Sequence, residues 1–389
     1  MALLSATATA SYLSRVNLSV AGAPMMHELG LSQQAMGQVF SAFLVGYALC
    51  QVPAGRLADR LGAPRVLGWA ALGWVAATVA IVAGAGNFAA LLAARCLLGV
   101  AEAPTFPAAG QAIARLMPVV QRGRANGAVI AAIGLGSAIA PPLISFLMVR
   151  WGWRAAVLAS AVPALLVGLG WMAVRRTAAG AAVRPPKGAP HGLPRSRSFF
   201  LLSLSYTLQG YVGYIFVFWF YLYLVEVRHF DVVKGAVFGS MPWLLSIVSI
   251  PAGGWLFDRT RTNRRLIPMA GLAGSGLFTA VGAHAGNGYV AAACLALATA
   301  LVLSVEGPFW ATMISVAGDR SGAAGGVMNM GSNLGGLVSP ALTPVLAGWF
   351  GWEAALFVSA GVAVAGGLMW IWIVPPAHEE SKRLPVTTR

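Results

Sequence analysis

The sequence predicts an all-α membrane protein with twelve transmembrane helices arranged as two pseudo-symmetric six-helix halves. Of its 389 residues, 58% are hydrophobic and only 10% are charged, whereas soluble domains carry roughly 25% charged residues. Apolar stretches of about 20 residues, long enough to cross a hydrocarbon core as helix, recur from one end of the chain to the other. An internal repeat divides these stretches into two sets of six.

The spans follow from apolar periodicity and from the turn residues between them. The first stretch lacks the basic start of a secretory signal, and Arg15 interrupts it, so we interpret it as a retained span. The predicted helices cover about 2–23, 33–57, 65–85, 88–115, 122–148, 152–174, 199–226, 232–257, 266–285, 288–316, 322–348 and 351–374. The predicted organisation is an N-terminal six-helix bundle (1–174), a cytoplasmic linker (175–198), a C-terminal six-helix bundle (199–374) and a cytoplasmic tail (375–389).

Paired segments at one constant offset indicate the duplication. WGWRAAVL at 151–158 is similar to FGWEAALF at 350–357, and GRLADR at 55–60 is similar to GWLFDR at 254–259. Both pairs are 199 residues apart. A shared offset at unrelated places in the chain predicts two parallel copies of one six-helix unit.

The distribution of basic residues predicts the topology. Twenty of the 26 lysines and arginines fall in the first, third and fifth connections of each half, in the linker or in the tail, and four fall on the opposite side. The positive-inside rule then places both termini in the cytoplasm. The net charge of +15 is explained by these loops, so nucleic-acid binding is not expected. The compact loops favour a bacterial inner membrane, with the lipid bilayer as the surrounding partner.

A loop motif resembles the Gly-x-x-x-Asp-[Arg/Lys]-x-Gly signature of the major facilitator superfamily. Gly55, Asp59 and Arg60 occupy the matching positions after the second span, and Asp258 and Arg259 repeat the Asp-Arg pair in the second half. A glycine lets two helices approach closely, and an aspartate is stabilised at a helix N-terminus. The resemblance implies that these residues form a conformational brace in the outward-open state.

Longer segments are similar to one branch of that superfamily, the anion:cation symporters. They cover 12–32, 40–62, 95–108 and 219–224. This branch includes bacterial sugar-acid and carboxylate carriers and relatives of vesicular glutamate and lysosomal sialic acid carriers. The resemblance implies secondary active transport of an organic anion across the inner membrane, by proton-coupled symport with alternating access. It also implies a monomer.

Four charged side chains fall deep within predicted spans: Arg15, Arg95, Glu102 and Glu306. A charge at the bilayer centre costs about 2.5–3.5 kcal/mol on insertion scales, so a polar cavity is expected around them. Arg95 and Glu102 are seven residues apart and share one helix face. They form either a structural ion pair or a proton-coupling pair, and the resemblance implies coupling. Glu306 is a further proton-coupling candidate.

Arg15 is the main candidate for binding the anion. Its planar fork of donors fits a carboxylate, and the resemblance implies that role; the alternative is a guanidinium that caps backbone carbonyls. Tyr12 lies about one turn from Arg15, and Tyr47 matches a family tyrosine near the substrate. Each tyrosine is either a ligand or a packed aromatic.

The second half offers polar candidates in its tenth and eleventh spans. Asn329 and Asn333 are one turn apart and either donate to substrate hydroxyls or join helices by hydrogen bonds. Trp310 either stacks on the substrate or packs against apolar neighbours. Gln209 and Tyr214 in the seventh span are weaker candidates of the same kind.

The sequence departs from the resembled family at Ser14, where many bacterial members carry aspartate. Serine cannot titrate, so either fewer protons are coupled, or Glu306 supplies the missing carboxyl, or proton coupling is lost and the protein is a uniporter or uses another ion. An exporter of anions or drugs is the other alternative, although efflux of lipophilic cations favours acids without arginine partners. No nucleotide-binding loop, metalloprotease motif or serine elbow is present, so an enzyme is not expected. No cofactor or metal is expected either.

Overall fold

A computed structural model of the protein describes residues 1–174, 193–260 and 262–373, and this part of the chain is almost entirely helical. The predicted tail and most of the predicted linker lie outside the described residues. The helices are α1 (Ala2–Leu29), α2 (Gln33–Leu61), α3 (Ala63–Ala83), α4 (Phe88–Glu102), α5 (Thr105–Leu116), α6 (Val119–Ala159), α7 (Ala161–Val174), α8 (Arg197–Leu222), α9 (Val232–Arg259), α10 (Leu266–His284), α11 (Gly288–Ser304), α12 (Glu306–Ala317) and α13 (Ser321–Leu368).

Local sequence explains where the helices begin and end. The Ser32 side chain accepts a hydrogen bond from the Ala35 amide at the start of α2, and Asn87 does the same for Ala90 at the start of α4. Such caps satisfy amides that have no partner within the helix. Helix α1 ends at Gly30, whose φ of 64° is a left-handed conformation that glycine adopts without strain.

Two long helices are broken at equivalent glycines. Helix α6 has a non-helical residue at Gly152, with φ 79°, and α13 has one at Gly351, with φ 85°. These glycines are 199 residues apart, the same offset as the sequence repeat. Each break lies at the predicted boundary between two spans, so the duplication extends to backbone conformation.

Two predicted spans are interrupted, and the prediction of a single helix over 88–115 and over 288–316 is wrong. The first divides at Ala103 and Pro104 into α4 and α5, and the second divides at Val305 into α11 and α12. Pro104 has no amide hydrogen to continue the helical ladder. These breaks lie beside Glu102 and Glu306.

The fold is that of a multi-pass membrane protein. Among the described residues, eight helical stretches are long and apolar enough to cross a membrane, and two of these, Gly127–Val174 and Ala324–Ile371, run for 48 residues through the glycine breaks. Helices α1 and α2 are 28 and 29 residues long but are not among the eight. Large apolar side chains face outward, as a lipid-facing surface requires. The total of twelve spans stays a prediction.

Specific contacts join the two halves near one end of the bundle. The Ser41 hydroxyl of α2 donates to the Leu337 carbonyl of α13 at 2.8 Å. The Ser240 hydroxyl of α9 donates to the Ala138 carbonyl of α6 at 2.6 Å. This is the end at which α1 and α8 finish, and we refer to it as the closed end.

Of the residues predicted to form the conformational brace, only Gly55 and Arg259 have described contacts with other side chains. A Cβ at Gly55 would lie 3.7 Å from the Pro107 side chain, so α2 and α5 are close there. Arg60 and Asp258 are exposed. The Arg259 guanidinium lies 5.2 Å from the Trp255 ring of its own helix. The Asp59 side chain lies outside the described part of the structure. The bracing role therefore stays a prediction.

Candidate functional site

The centre of the N-terminal half contains a buried ion pair between α1 and α4. Arg15 Nη2 donates to Glu102 Oε2 at 2.8 Å, and Arg15 Nε reaches the same oxygen at 3.3 Å. The Ser11 hydroxyl donates to it as well, at 3.2 Å. The two charged side chains are 2% and 0% exposed. Glu102 Oε1 has no hydrogen-bond partner, so half of the carboxylate is unsatisfied.

Glu102 pairs with Arg15 and not with Arg95, so the structural ion pair considered for Arg95 and Glu102 is wrong in this conformation. Seven residues of helix separate the Cα atoms of these two residues by about 10 Å, even though they share a face. Arg95 is completely buried, and its Nε, Nη1 and Nη2 atoms have no hydrogen-bond partner. Its guanidinium instead lies 5.3 Å from the Phe43 ring. An unpartnered buried cation is costly, and such a group attracts an anion.

Aromatic rings enclose the Arg15 guanidinium. Its central carbon lies 4.7 Å from the Tyr12 ring, 4.9 Å from the Phe43 ring and 4.8 Å from the Tyr47 ring. A guanidinium over ring faces gains cation–π stabilisation, which rises when water is excluded. The described contacts of Arg15 are with a carboxylate and with rings, not with backbone carbonyls. Whether the two tyrosines contact the substrate stays a prediction.

Two glycines allow α2 and α4 to cross at this site. A Cβ at Gly99 would lie 1.9 Å from the Phe43 carbonyl oxygen, and a Cβ at Gly46 would lie 2.1 Å from the Cys96 carbonyl oxygen. Backbone contact this close requires residues without side chains. The crossing fixes Phe43 and Tyr47 on α2 against the charged face of α4.

We expect Gly99→Ala to destabilise the protein by about 2 kcal/mol or more, because overpacking a close contact forces backbone shifts. The Gly99 site faces a carbonyl oxygen rather than a flexible side chain, so the helices must separate. The matched control is Gly110→Ala in α5, where a Cβ would meet nothing within 4 Å. Thermal unfolding of the purified variants measures the difference. Equal midpoints for Gly99→Ala and Gly110→Ala would contradict the close crossing.

Ser14 adjoins Arg15 on the buried part of α1. It is 0% exposed, and its hydroxyl has no hydrogen-bond partner. The position where many members of the resembled family carry a carboxyl is therefore a buried, uncharged hydroxyl. The buried charged side chains in this half of the site are Arg15, Arg95 and Glu102.

A second cluster surrounds Glu306 in the C-terminal half. The Tyr206 hydroxyl donates to Glu306 Oε2 at 2.7 Å, and Gln209 Nε2 donates to Oε1 at 3.1 Å. The Trp310 ring lies edge-on to Tyr206 at 6.4 Å, and its side chain interacts with the Glu306 carboxyl. Every described partner of Glu306 is uncharged.

The Asn333 amide is engaged by other helices. Its Oδ1 accepts from the Tyr214 hydroxyl at 3.2 Å, and its Nδ2 donates to the Asn329 carbonyl at 3.0 Å and to Gln51 Oε1 at 3.4 Å. The bond to Gln51 joins the two halves of the chain. These contacts support the helix–helix alternative for Asn333, and Asn329 contributes a backbone carbonyl. Substrate binding by either asparagine stays a prediction.

The clusters face one central region. Asn333 of α13 accepts from Tyr214 of α8 and donates to Gln51 of α2, and Glu306 lies within electrostatic reach of Tyr12, so polar groups of the two halves approach each other. Sequence reasoning missed Ser11, Phe43 and Tyr206. Ser11 lies four residues before Arg15, and a search for polar residues one helical turn from Arg15 would have found it.

This arrangement, a helical multi-pass bundle with buried charges at the meeting of its halves, is that of a membrane transport protein. The family model described as Major Facilitator Superfamily matches residues 4–340 and 306–388. The chain belongs to the major facilitator superfamily. It is a transporter of that superfamily, not an enzyme.

Two of the relatives carry the names of organic-anion transporters. The chain is 30% identical to the probable sulfoacetate transporter SauU of Cupriavidus necator, covering 94% of this chain and 91% of the relative. It is 26% identical to the hexuronate transporter of Bacillus subtilis, covering 94% and 92%. Among solved structures, a bacterial homologue of the human lysosomal transporter Spinster, inward-facing and occupied, has a TM-score of 0.81 at 17% identity. It covers 95% of each chain and supports the fold.

Proposed function

We propose that the protein imports an organic anion, a carboxylate or sugar acid, by proton-coupled symport with alternating access. One observation carries the proposal: the Glu102 carboxylate occupies the fork of Arg15 that a substrate carboxylate would use. A resident carboxylate and an incoming one compete for the same donors. Substrate binding is therefore linked to the protonation state of Glu102.

The linkage provides proton coupling. When the substrate takes the Arg15 donors, Glu102 loses its counter-charge inside a buried site, and a proton neutralises it. When Glu102 releases the proton, it returns to Arg15 and displaces the anion. By reciprocity, a proton that favours anion binding is itself bound more tightly when the anion is present. Because a buried unpaired carboxylate is costly, proton and anion travel together.

Arg95 is the second cation of the proposed site. It stands on the same face of α4 as Glu102 and has no hydrogen-bond partner. It would attract the anion toward the pair and would stabilise the ionised form of Glu102 after release. Ser14 contributes no titratable group, so one proton on Glu102 is the proposed minimum. Glu306 is the candidate for any second one.

Alternating access follows from the position of the contacts between the halves. Ser41 and Ser240 join the halves at the closed end. With both termini in the cytoplasm, as proposed from the basic loops, the closed end faces away from the cytoplasm. The conformation is then inward-facing, and the Arg15–Glu102 pair is the resting state after anion release.

The test is uptake by proteoliposomes. A panel of radiolabelled carboxylates, sugar acids and sulfonated carboxylates is offered with and without an inward proton gradient. We expect one class to accumulate against its own gradient, and a protonophore to abolish that accumulation. Uptake that equilibrates without responding to the proton gradient would favour a uniporter and would contradict symport. Efflux that is driven by the gradient would favour an exporter.

A further inference from the structure

Two charges of the central region, one buried and one partly buried, lack a counter-charge among their described contacts, and they lie in different halves. Arg95 in the N-terminal half has three nitrogens without a partner. Glu306 in the C-terminal half has only the neutral donors Tyr206 and Gln209, with Trp310 beside them. Arg15 and Glu102 neutralise each other. The charges that remain are the positive charge of Arg95 on α4 and the negative charge of Glu306 on α12.

The Glu306 carboxyl has acceptor capacity left over. A carboxylate offers about four lone-pair positions. Tyr206 fills one on Oε2, and Gln209 fills one on Oε1. Tyr206 and Gln209 also fix the orientation of the carboxyl, because Gln209 is held by a second bond to the Val302 carbonyl at 3.2 Å. The cluster is a pre-oriented acceptor within electrostatic reach of Tyr12, whose ring lies against Arg15.

We propose that Glu306, with Tyr206 and Gln209, forms a specificity subsite that binds a hydroxyl or ammonium donor on the substrate end remote from its acid group. The inference rests on the proposed function of anion transport and deepens it. The substrate is a monoanion with a donor at its far end, such as a hydroxy acid. A dianion is disfavoured, because its second negative charge would face the Glu306 carboxylate.

The charge count supports this substrate class. When the anion binds and Glu102 is protonated, Arg15 and Arg95 provide two positive charges and Glu306 one negative charge, so a monoanion neutralises the site and a dianion does not. The relative SauU is a probable transporter of sulfoacetate, which carries an acid group at each end. The Glu306 cluster therefore predicts that this protein prefers a hydroxy acid to a diacid. If it shared the substrate of that relative, it would prefer the diacid.

The test compares acids that differ only in the far group. Purified protein is titrated calorimetrically with isethionate and sulfoacetate, with 4-hydroxybutyrate and succinate, and with gluconate and glucarate. For every pair that binds, we expect the hydroxy acid to bind about tenfold or more tightly than the diacid, from like-charge repulsion at low dielectric. Glu306→Gln keeps an acceptor but removes the charge, so the diacid should gain affinity until the ratio approaches one.

The control is Glu353→Gln, the same substitution at an exposed acid of the C-terminal half that pairs with His284, and this variant should retain the discrimination. Equal or tighter diacid binding by the unaltered protein would overturn the inference. An unchanged ratio in Glu306→Gln would do so as well, even if that variant transported fewer protons per anion. If an acid of any pair binds without discrimination, only the subsite fails. If none of the six acids binds, the proposed transport of such anions fails together with it.

Discussion

Replacement of Arg15 by alanine is expected to weaken anion binding by about a hundredfold or more, since hydrogen bonds to charged groups contribute about 1.5–3 kcal/mol each. Arg15 offers two donors, Nε and Nη2, that already hold a carboxylate in the resting protein. The loss is compounded by Glu102, which would stay buried without its partner and would repel an incoming anion. Binding measured by calorimetry, and uptake by proteoliposomes, report the effect.

Two further variants separate binding from folding. Arg15→Ala combined with Glu102→Gln removes both charges of the pair, so no charge is stranded and the protein should fold while still failing to bind. Arg15→Lys keeps the charge but not the planar fork, and an intermediate loss is expected. Binding of normal affinity by the double variant would exclude Arg15 as the anion ligand.

Replacement of Glu102 by glutamine is expected to abolish accumulation driven by a proton gradient while leaving exchange of anion across the membrane intact. Glutamine has nearly the same shape but cannot titrate, and it competes weakly for Arg15. In the unaltered protein, a fall in pH protonates Glu102 and frees Arg15, so anion affinity rises; a rise in pH restores the Arg15–Glu102 pair and lowers it. The Glu102→Gln variant should bind with high affinity that does not vary with pH.

Counterflow of labelled anion, without any gradient, measures exchange, and net uptake under an inward proton gradient measures coupling. Unaltered protein is the reference for both assays. If Glu102→Gln still accumulated anion in response to the gradient, the coupled proton would reside elsewhere, and Glu306 would be the group to test next.

The fold could be predicted from the sequence to a considerable depth. Apolar length predicted the helical, multi-pass fold, of which eight stretches are long and apolar enough to cross a membrane among the described residues. The offset of 199 residues indicated the duplication, which reappears as paired backbone breaks at Gly152 and Gly351. The interruptions beside Glu102 and Glu306 were missed, because apolar composition continues through them. Only the local backbone, with Pro104 at one break, distinguishes a broken span from a continuous one.

Within the candidate site, the sequence predicts contacts along one helix better than contacts between helices. The spacing of Tyr12 and Arg15 along one helix is a local property, and their contact follows from it. The partner of Glu102 is set by how α1 and α4 cross, which depends on packing between distant segments. Arg95 and Glu102 share a helix face, but the rise of two turns keeps them apart, and Arg15 reaches the carboxylate instead.

The central claim is that the substrate and the Glu102 carboxylate compete for Arg15, and proton uptake on anion binding tests it most directly. Purified protein in weakly buffered solution receives a saturating carboxylate, and the pH change is recorded. The account predicts uptake of about one proton per anion bound by the unaltered protein, and about none by Glu102→Gln, because one site is linked to one titrating group. Anion binding without proton uptake in the unaltered protein, or the same uptake in both proteins, would contradict it.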